Sequence, residues 1–122
     1  MKNQVIKNVP DLWIKRFPWK KPNDHKYSRG KVVIYGSKKE YTGATILSAA
    51  GALRTGVGAV KIICNKDTLN IYSVKFPSVL KAEINNINQL KIFLKKEMIT
   101  SMLIGPGSGT NKKIKEITKL VL

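Results

Sequence analysis

Two glycine-rich segments have the residue types and spacing that could do chemistry. Gly105-Pro106-Gly107-Ser108-Gly109 follows an apolar run and precedes a helical pattern, where a parallel sheet presents its carboxyl edge to a ligand. Tyr41-Thr42-Gly43-Ala44 opens another helical pattern. A Thr-Gly-Ala start leaves backbone N–H groups free and adds no bulk, so a flat or anionic ligand can come close to the main chain. Taken singly, each segment is more simply a tight β–α connection or the start of a packed helix. On one edge of one sheet, they would line a common crevice. The first is GxGxG, which is neither the GxGxxG dinucleotide fingerprint nor the GxxxxGK[ST] phosphate loop.

Other reactive side chains build no site. His25 is the single histidine and has no second ligand type at metal spacing, so a structural hydrogen bond near Tyr27 is expected of it. Cys64, the single cysteine, ends an apolar strand pattern and reads as a small buried hydrophobe. It excludes an internal disulfide and a multi-cysteine metal site. Asp11, Asp24, Glu40, Asp67, Glu83, Glu97 and Glu116 are scattered. The residues therefore yield no catalytic set and no metal site.

The elements that must position the two loops are legible as alternating patterns. Residues 31–35 (KVVIY), 59–64 (AVKIIC), 79–82 and 100–104 read as strands. Residues 44–55 place Leu47, Ala50 and Leu53 along one side of a helix ended by Gly56 and Gly58. Asp67 is the expected N-cap of a short helix reaching about Val74. Residues 86–97 carry Ile87, Leu90, Phe93 and Leu94 on one face, with Lys91, Lys95 and Lys96 opposite. Residues 111–122 repeat the pattern with Ile114, Ile117, Leu120 and Val121. Strand–helix alternation with continuous apolar strands predicts an α/β protein: layered αβα around a mostly parallel sheet. Residues 1–30 differ. Pro10, Pro18 and Pro22 forbid a long helix there, and Trp13 and Phe17 are expected to anchor this proline- and aromatic-rich arm across the domain.

A chain of 122 residues is one domain's worth, with 43% hydrophobic and 25% charged residues, which excludes a disordered chain. No apolar run approaches the ~18–20 residues of a membrane span. With no signal-peptide pattern, the expected location is cytoplasmic. The net charge of +16 invites a nucleic-acid reading. Composition offers a competing one: 20 of the cations are Lys against Arg16, Arg29 and Arg54, and Ile (14) and Asn (9) are abundant. That mixture is what A/T-rich codons produce, whereas nucleic-acid sites favour the planar fork of Arg.

Read together, HKYSRGKVVIYGS, YTGATILSAAGALRTGVGAV, the SVL stretch and LIGPGSG resemble the ADP/ATP-dependent NAD(P)H-hydrate dehydratases, which have the ribokinase-like fold. The resemblance runs from about Val9 to Gly109. It departs at Tyr35-Gly36-Ser37, where the family usually has Gly-Gly-Ser, and at Pro77-Ser78-Val79-Leu80, often Pro-Glu-Val-Met. It implies a lyase that dehydrates the S-hydrate of NADH or NADPH at the expense of ADP or ATP with Mg2+. It also implies that Gly43, Ala44, Gly107 and Gly109 line the hydrate site. The family's GxGD signature, with its catalytic Asp, is not among these residues; Gly107-Ser108-Gly109-Thr110 is the nearest string. The resemblance thus divides the chain into an arm, 1–30, and the N-terminal half of a truncated ribokinase-like dehydratase domain, 31–122.

The expectation is an incomplete or inactive fragment of the dehydratase, with a homo-oligomer or a complementary second-half fragment as partner and the Ile114/Ile117/Leu120/Val121 stripe left uncovered. A non-enzymatic basic α/β protein that binds nucleic acid or another anionic partner ranks second. Such a surface needs lysines converging on one groove with aromatics for stacking, and here the lysine clusters fall on separate helices. A sugar or vitamin kinase of the same fold ranks third. No membrane partner is expected.

Overall fold

β-branched runs and helical repeats sort into separate layers. The computed structural model describes residues 5–122. Strands β1 (Lys31–Tyr35), β2 (Ala59–Cys64), β3 (Leu80–Glu83) and β4 (Ser101–Leu103) form a single sheet in the order β3-β2-β1-β4, every pairing parallel. Helix α1 (Thr42–Arg54) joins β1 to β2 and α2 (Lys66–Lys75) joins β2 to β3. Helix α3 (Ile87–Lys96) returns the chain to the far side of β1, where β4 lies, and α4 (Lys112–Val121) follows. The strand order therefore reverses between β1 and β4.

Successive residues of a strand point to opposite faces, and both faces of β1 are covered. Ile34 packs with Val60, Ile62, Ala49 of α1 and Tyr72 of α2. Val33 packs with Ile63, Leu90 of α3 and Ile117 of α4. The layered α/β architecture is as expected, with the third and fourth strands at Leu80–Glu83 and Ser101–Leu103 in place of 79–82 and 100–104.

Three local expectations are corrected. Helix α1 buries Thr45 and Ala49, with Ile46 and Ala52 beside them, while Leu47 is 74% exposed. The small side chains let the helix sit close to the sheet, and Leu47 lies roughly 200° around the axis from Thr45. The cap of α2 is Asn65 and not Asp67: Asn65 Oδ1 accepts the Thr68 N–H at 3.0 Å, and Thr68 Oγ1 accepts the Asn65 N–H at 3.2 Å. Asn86 and Asn111 cap α3 and α4 by accepting the Gln89 and Ile114 N–H groups, each cap contributing about 1 kcal/mol. The stripe of α4 is not left open as a whole, since Ile117 is buried and Ile114 packs beside it, leaving Leu120 36% exposed.

The arm contains two short 3-10 turns, Pro10–Leu12 and Ile14–Arg16. Trp13, an expected anchor, is 43% exposed; it and Trp19 flank the Phe17 ring, with centroids 6.0 and 4.7 Å away. The arm joins the body through its last residues. Gly58 donates its N–H to Arg29 O and Ala59 donates to Gly30 O. A Cβ at Gly58 would fall 1.6 Å from the Lys26 carbonyl oxygen, so only glycine permits this approach.

Near the same amino-terminal edge, Glu97, the residue after α3, bridges Lys31 at the start of β1 and Lys61 of β2, whose Nζ lies 2.5 Å from Oε2. All three side chains are under 20% exposed. Hydrogen bonds from the two ammonium groups hold the Glu97 carboxyl below its ordinary value of 4.5. A carboxyl lowered in the folded state stabilises it at pH values above the unfolded value, and that contribution fades as pH falls through the folded value. Glu97→Gln is therefore expected to cost about 1–2 kcal/mol near pH 7. In urea melts at successive pH values, the gap between wild type and variant should narrow below about pH 4.5; a constant gap would contradict the ion-pair account.

Candidate functional site

At the carboxyl ends of the strands, β1 runs into Gly36-Ser37, a 3-10 turn (Lys39–Tyr41) and α1, while β4 runs into the Gly105–Gly109 loop ahead of α4. The reversal of strand order brings these two loops together. Gly107 has φ +70°, and a Cβ there would lie 2.7 Å from Ser37 Cβ and 3.0 Å from Tyr41 O. A crevice at this point of an open parallel sheet is where ligands bind.

A polar knot fixes the first loop. Ser37 is 4% exposed. Its N–H donates to Thr45 Oγ1 at 2.9 Å and its hydroxyl donates to Tyr41 O at 2.7 Å. The same hydroxyl lies 3.0 Å from Thr45 Oγ1 and 3.4 Å from the Tyr72 hydroxyl. Thr45, on the buried side of α1, thus ties the helix to the end of β1. The start of α1 has no side-chain cap, whereas α2, α3 and α4 each have an asparagine. Its first-turn N–H groups remain available to an acceptor or an anion.

The four residues expected in the site share this edge but differ in setting. Gly43 and Gly109 are exposed, and a Cβ on either would meet no atom within 4 Å. Ala44 is half-buried in the first turn of α1. Gly107 is packed on the other loop and so joins the two walls. Ser108, to which the sequence assigns no role, is 3% exposed with its hydroxyl unpaired among the described residues. No sequence signal marked it, because its burial depends on how the loop folds against the rest of the chain.

Between the ends of β1 and β2 lies a smaller cavity of about 220 Å3, lined by Tyr35, Gly36, Asn65, Lys66 and Lys113 among others. Burial raises the Tyr35 phenol. Burial, with Glu83 nearby, pushes the Cys64 thiol up to about 11, so it is no thiolate nucleophile near neutral pH. The HKYSRG segment, contiguous with β1 in sequence, is not in this site. His25 sits at the other end of the sheet, where its Nδ1 accepts the Ser28 N–H at 3.2 Å. The arrangement offers a crevice walled by two glycine-rich loops beside free helix-start N–H groups, and among the described residues it holds no nucleophile–base pair.

The profile of the NAD(P)H-hydrate dehydratase family matches residues 31–122. A bifunctional NAD(P)H-hydrate repair enzyme of Dictyoglomus turgidum is 31% identical over 104 residues, covering 78% of this chain and 20% of the relative. An ATP-dependent (S)-NAD(P)H-hydrate dehydratase of Entamoeba histolytica is 30% identical, covering 82% of this chain and 34% of the relative. Among solved structures, a ribokinase-like superfamily protein of Enterococcus faecalis superposes with a TM-score of 0.78 at 21% identity, over the whole of this chain and 44% of that one. The chain thus spans between a fifth and two fifths of the length of the curated relatives it matches.

The contrast between the glycines is measurable. Gly107→Ala is expected to cost about 1–3 kcal/mol, because it puts a Cβ both in a left-handed conformation and against Ser37. Gly43→Ala is expected to leave stability unchanged or raised by up to about 1 kcal/mol, since it adds a better helix former in open space. Chemical denaturation of the two variants compares them; equal losses would refute the packing described for Gly107.

Proposed function

We propose, from the premise that this chain belongs to the NAD(P)H-hydrate dehydratase family, that its crevice holds the S-hydrate of NADH or NADPH in an ADP- or ATP-dependent dehydratase. The observation that supports this reading is the meeting of two glycine loops where the strand order reverses, beside a helix start with no side-chain cap. In this reading Gly43 and Gly109 leave room for the ligand, Ala44 limits its depth, and the first-turn N–H groups of α1 donate to a phosphate oxygen. Gly107 holds the two walls in register.

Family membership brings ADP or ATP with Mg2+, and the described residues do not fit that group by themselves. Among them no three His, Cys, Asp or Glu side chains lie together to hold a metal ion, and no GxGD string occurs in the sequence. The contribution of these residues is to bind and orient the hydrate. The acid–base group and phosphoryl site come, in this proposal, from a complementary second-half segment; a homo-oligomer, the other expected partner, would cover apolar surface without supplying them. No described helix is long and apolar enough to cross a membrane, and we place the reaction in the cytoplasm.

Two measurements test the reading. Ala44→Leu should weaken calorimetric binding of NADPH hydrate at least tenfold while leaving the unfolding free energy from urea melts within about 0.5 kcal/mol of wild type. Unchanged affinity would remove Ala44 from the site. With NADH hydrate and ADP or ATP, these 122 residues alone should not restore reduced-ring absorbance, since losing positioned acid–base and electrostatic groups removes ~10²–10⁴-fold or more. Turnover should appear on adding a segment that carries GxGD. Turnover by these residues alone would overturn the assignment of roles.

A further inference from the structure

A cavity of about 1020 Å3 lies at the amino-terminal edge of the sheet, away from the crevice, between the arm and the turn from α1 to β2. The sequence scatters its lysines over separate helices and so argues against a nucleic-acid groove. Folding the arm against the body changes that placement. Lys20, Lys21 and Arg29 line this one groove together with Trp19 and Tyr27. Trp19 is 61% and Tyr27 64% exposed, so both aromatic surfaces are open to a ligand.

The Trp19 ring is held in place: its indole N–H donates to Ile14 O at 3.2 Å and the Phe17 ring backs it at 4.7 Å. The Lys26 ammonium lies 4.9 Å from the centroid of the Tyr27 ring. Among the described residues, Lys20, Lys21 and Arg29 make no ion pair. Asp24 is the groove's single carboxylate, and it accepts the Lys21 N–H at 2.8 Å and the Ser28 hydroxyl at 3.2 Å. The lining therefore keeps a net positive charge.

We propose that this groove binds single-stranded nucleic acid, with bases stacked on Trp19 and Tyr27 and phosphates against Lys20, Lys21 and Arg29. Fixed aromatic platforms beside cations are the means by which proteins hold single strands without reading sequence. Two exposed rings serve more than one base, and the groove is at the upper limit of a small-molecule site, which favours a strand over a mononucleotide. The net charge of +16 attracts a polyanion. The groove and the hydrate crevice are at opposite ends of the strands, so one can be filled without blocking the other.

Fluorescence anisotropy of the full chain with a labelled oligothymidylate of about 12 nucleotides, between about 50 and 200 mM salt, tests this. Trp19→Ala should weaken binding by about fivefold or more, and Trp19→Phe should retain most of it. The double change Lys20→Gln and Lys21→Gln should reduce the log–log salt slope by about 1.4, or ~0.7 for each lost contact. Lys91→Gln with Lys95→Gln removes the same charge from the exposed side of α3 and should leave the slope unchanged. The proposal is overturned by absence of binding, by equal effects of the two lysine pairs, or by displacement of the oligomer by AMP or NADPH at equal concentration of nucleotide units. All substituted side chains are exposed, so circular-dichroism melts should match wild type; a lower melt for Trp19→Ala leaves the lysine pairs to decide.

Discussion

β1 has a parallel neighbour on each side, and a parallel strand so placed must have both faces covered. Val33 and Ile34, adjacent in sequence and at most 1% exposed, belong to different clusters on opposite faces of the sheet. One cluster requires α1 and α2, the other α3 and α4. Because right-handed crossovers put consecutive helices on one face until the strand order reverses, covering both faces of β1 goes with a reversal beside it. The crevice is the open consequence of that reversal: two β–α loops leave neighbouring strands there and their helices diverge.

The two ends of the sheet are consequently unlike. At the carboxyl end, helix starts offer N–H groups and partial positive charge, and the loops are glycine-rich and polar. Ser37 and Thr45 fix the first loop from below, while Gly107 closes the gap between the loops. The amino-terminal end is braced. The Lys26–Gly30 segment lies on the turn at Gly56–Gly58, and Glu97 draws Lys31 and Lys61 to the end of α3. This division puts the glycine-lined crevice at one end and the brace at the other. HKYSRG and ALRTGVG belong to the brace, and YTGA and GPGSG to the crevice.

Charge follows the same geometry. Glu97 neutralises part of the Lys31–Lys61 pair, which is largely buried, and those are the ion pairs among the described residues. Lys91, Lys95 and Lys96 are exposed on α3, solvating its outer face. Lys66 and Lys113 stand beside the small cavity at the carboxyl end, and Lys20, Lys21 and Arg29 line the groove at the other. A single net charge therefore resolves into separate surfaces with separate surroundings.

Sequence by itself determined the strands, the order of elements, the αβα class and the apolar faces of α3 and α4. In these two helices lysines opposite apolar residues give the periodicity a contrast to report. It also identified the family, through motifs whose order survives any placement. Helix α1 is small and apolar nearly all round, so its sequence carried no such contrast, and the sheet chose Thr45 and Ala49 over Leu47. Only tertiary structure separated HKYSRG from the crevice, set Gly107 against Ser37 while leaving Gly43 open, buried Ser108, and gathered the arm's cations beside Trp19 and Tyr27. Each of these joins residues far apart in the chain, or parts neighbours in it. Local propensity and periodicity act over a few residues, whereas such juxtapositions are decided by strand order and by the direction of each crossover.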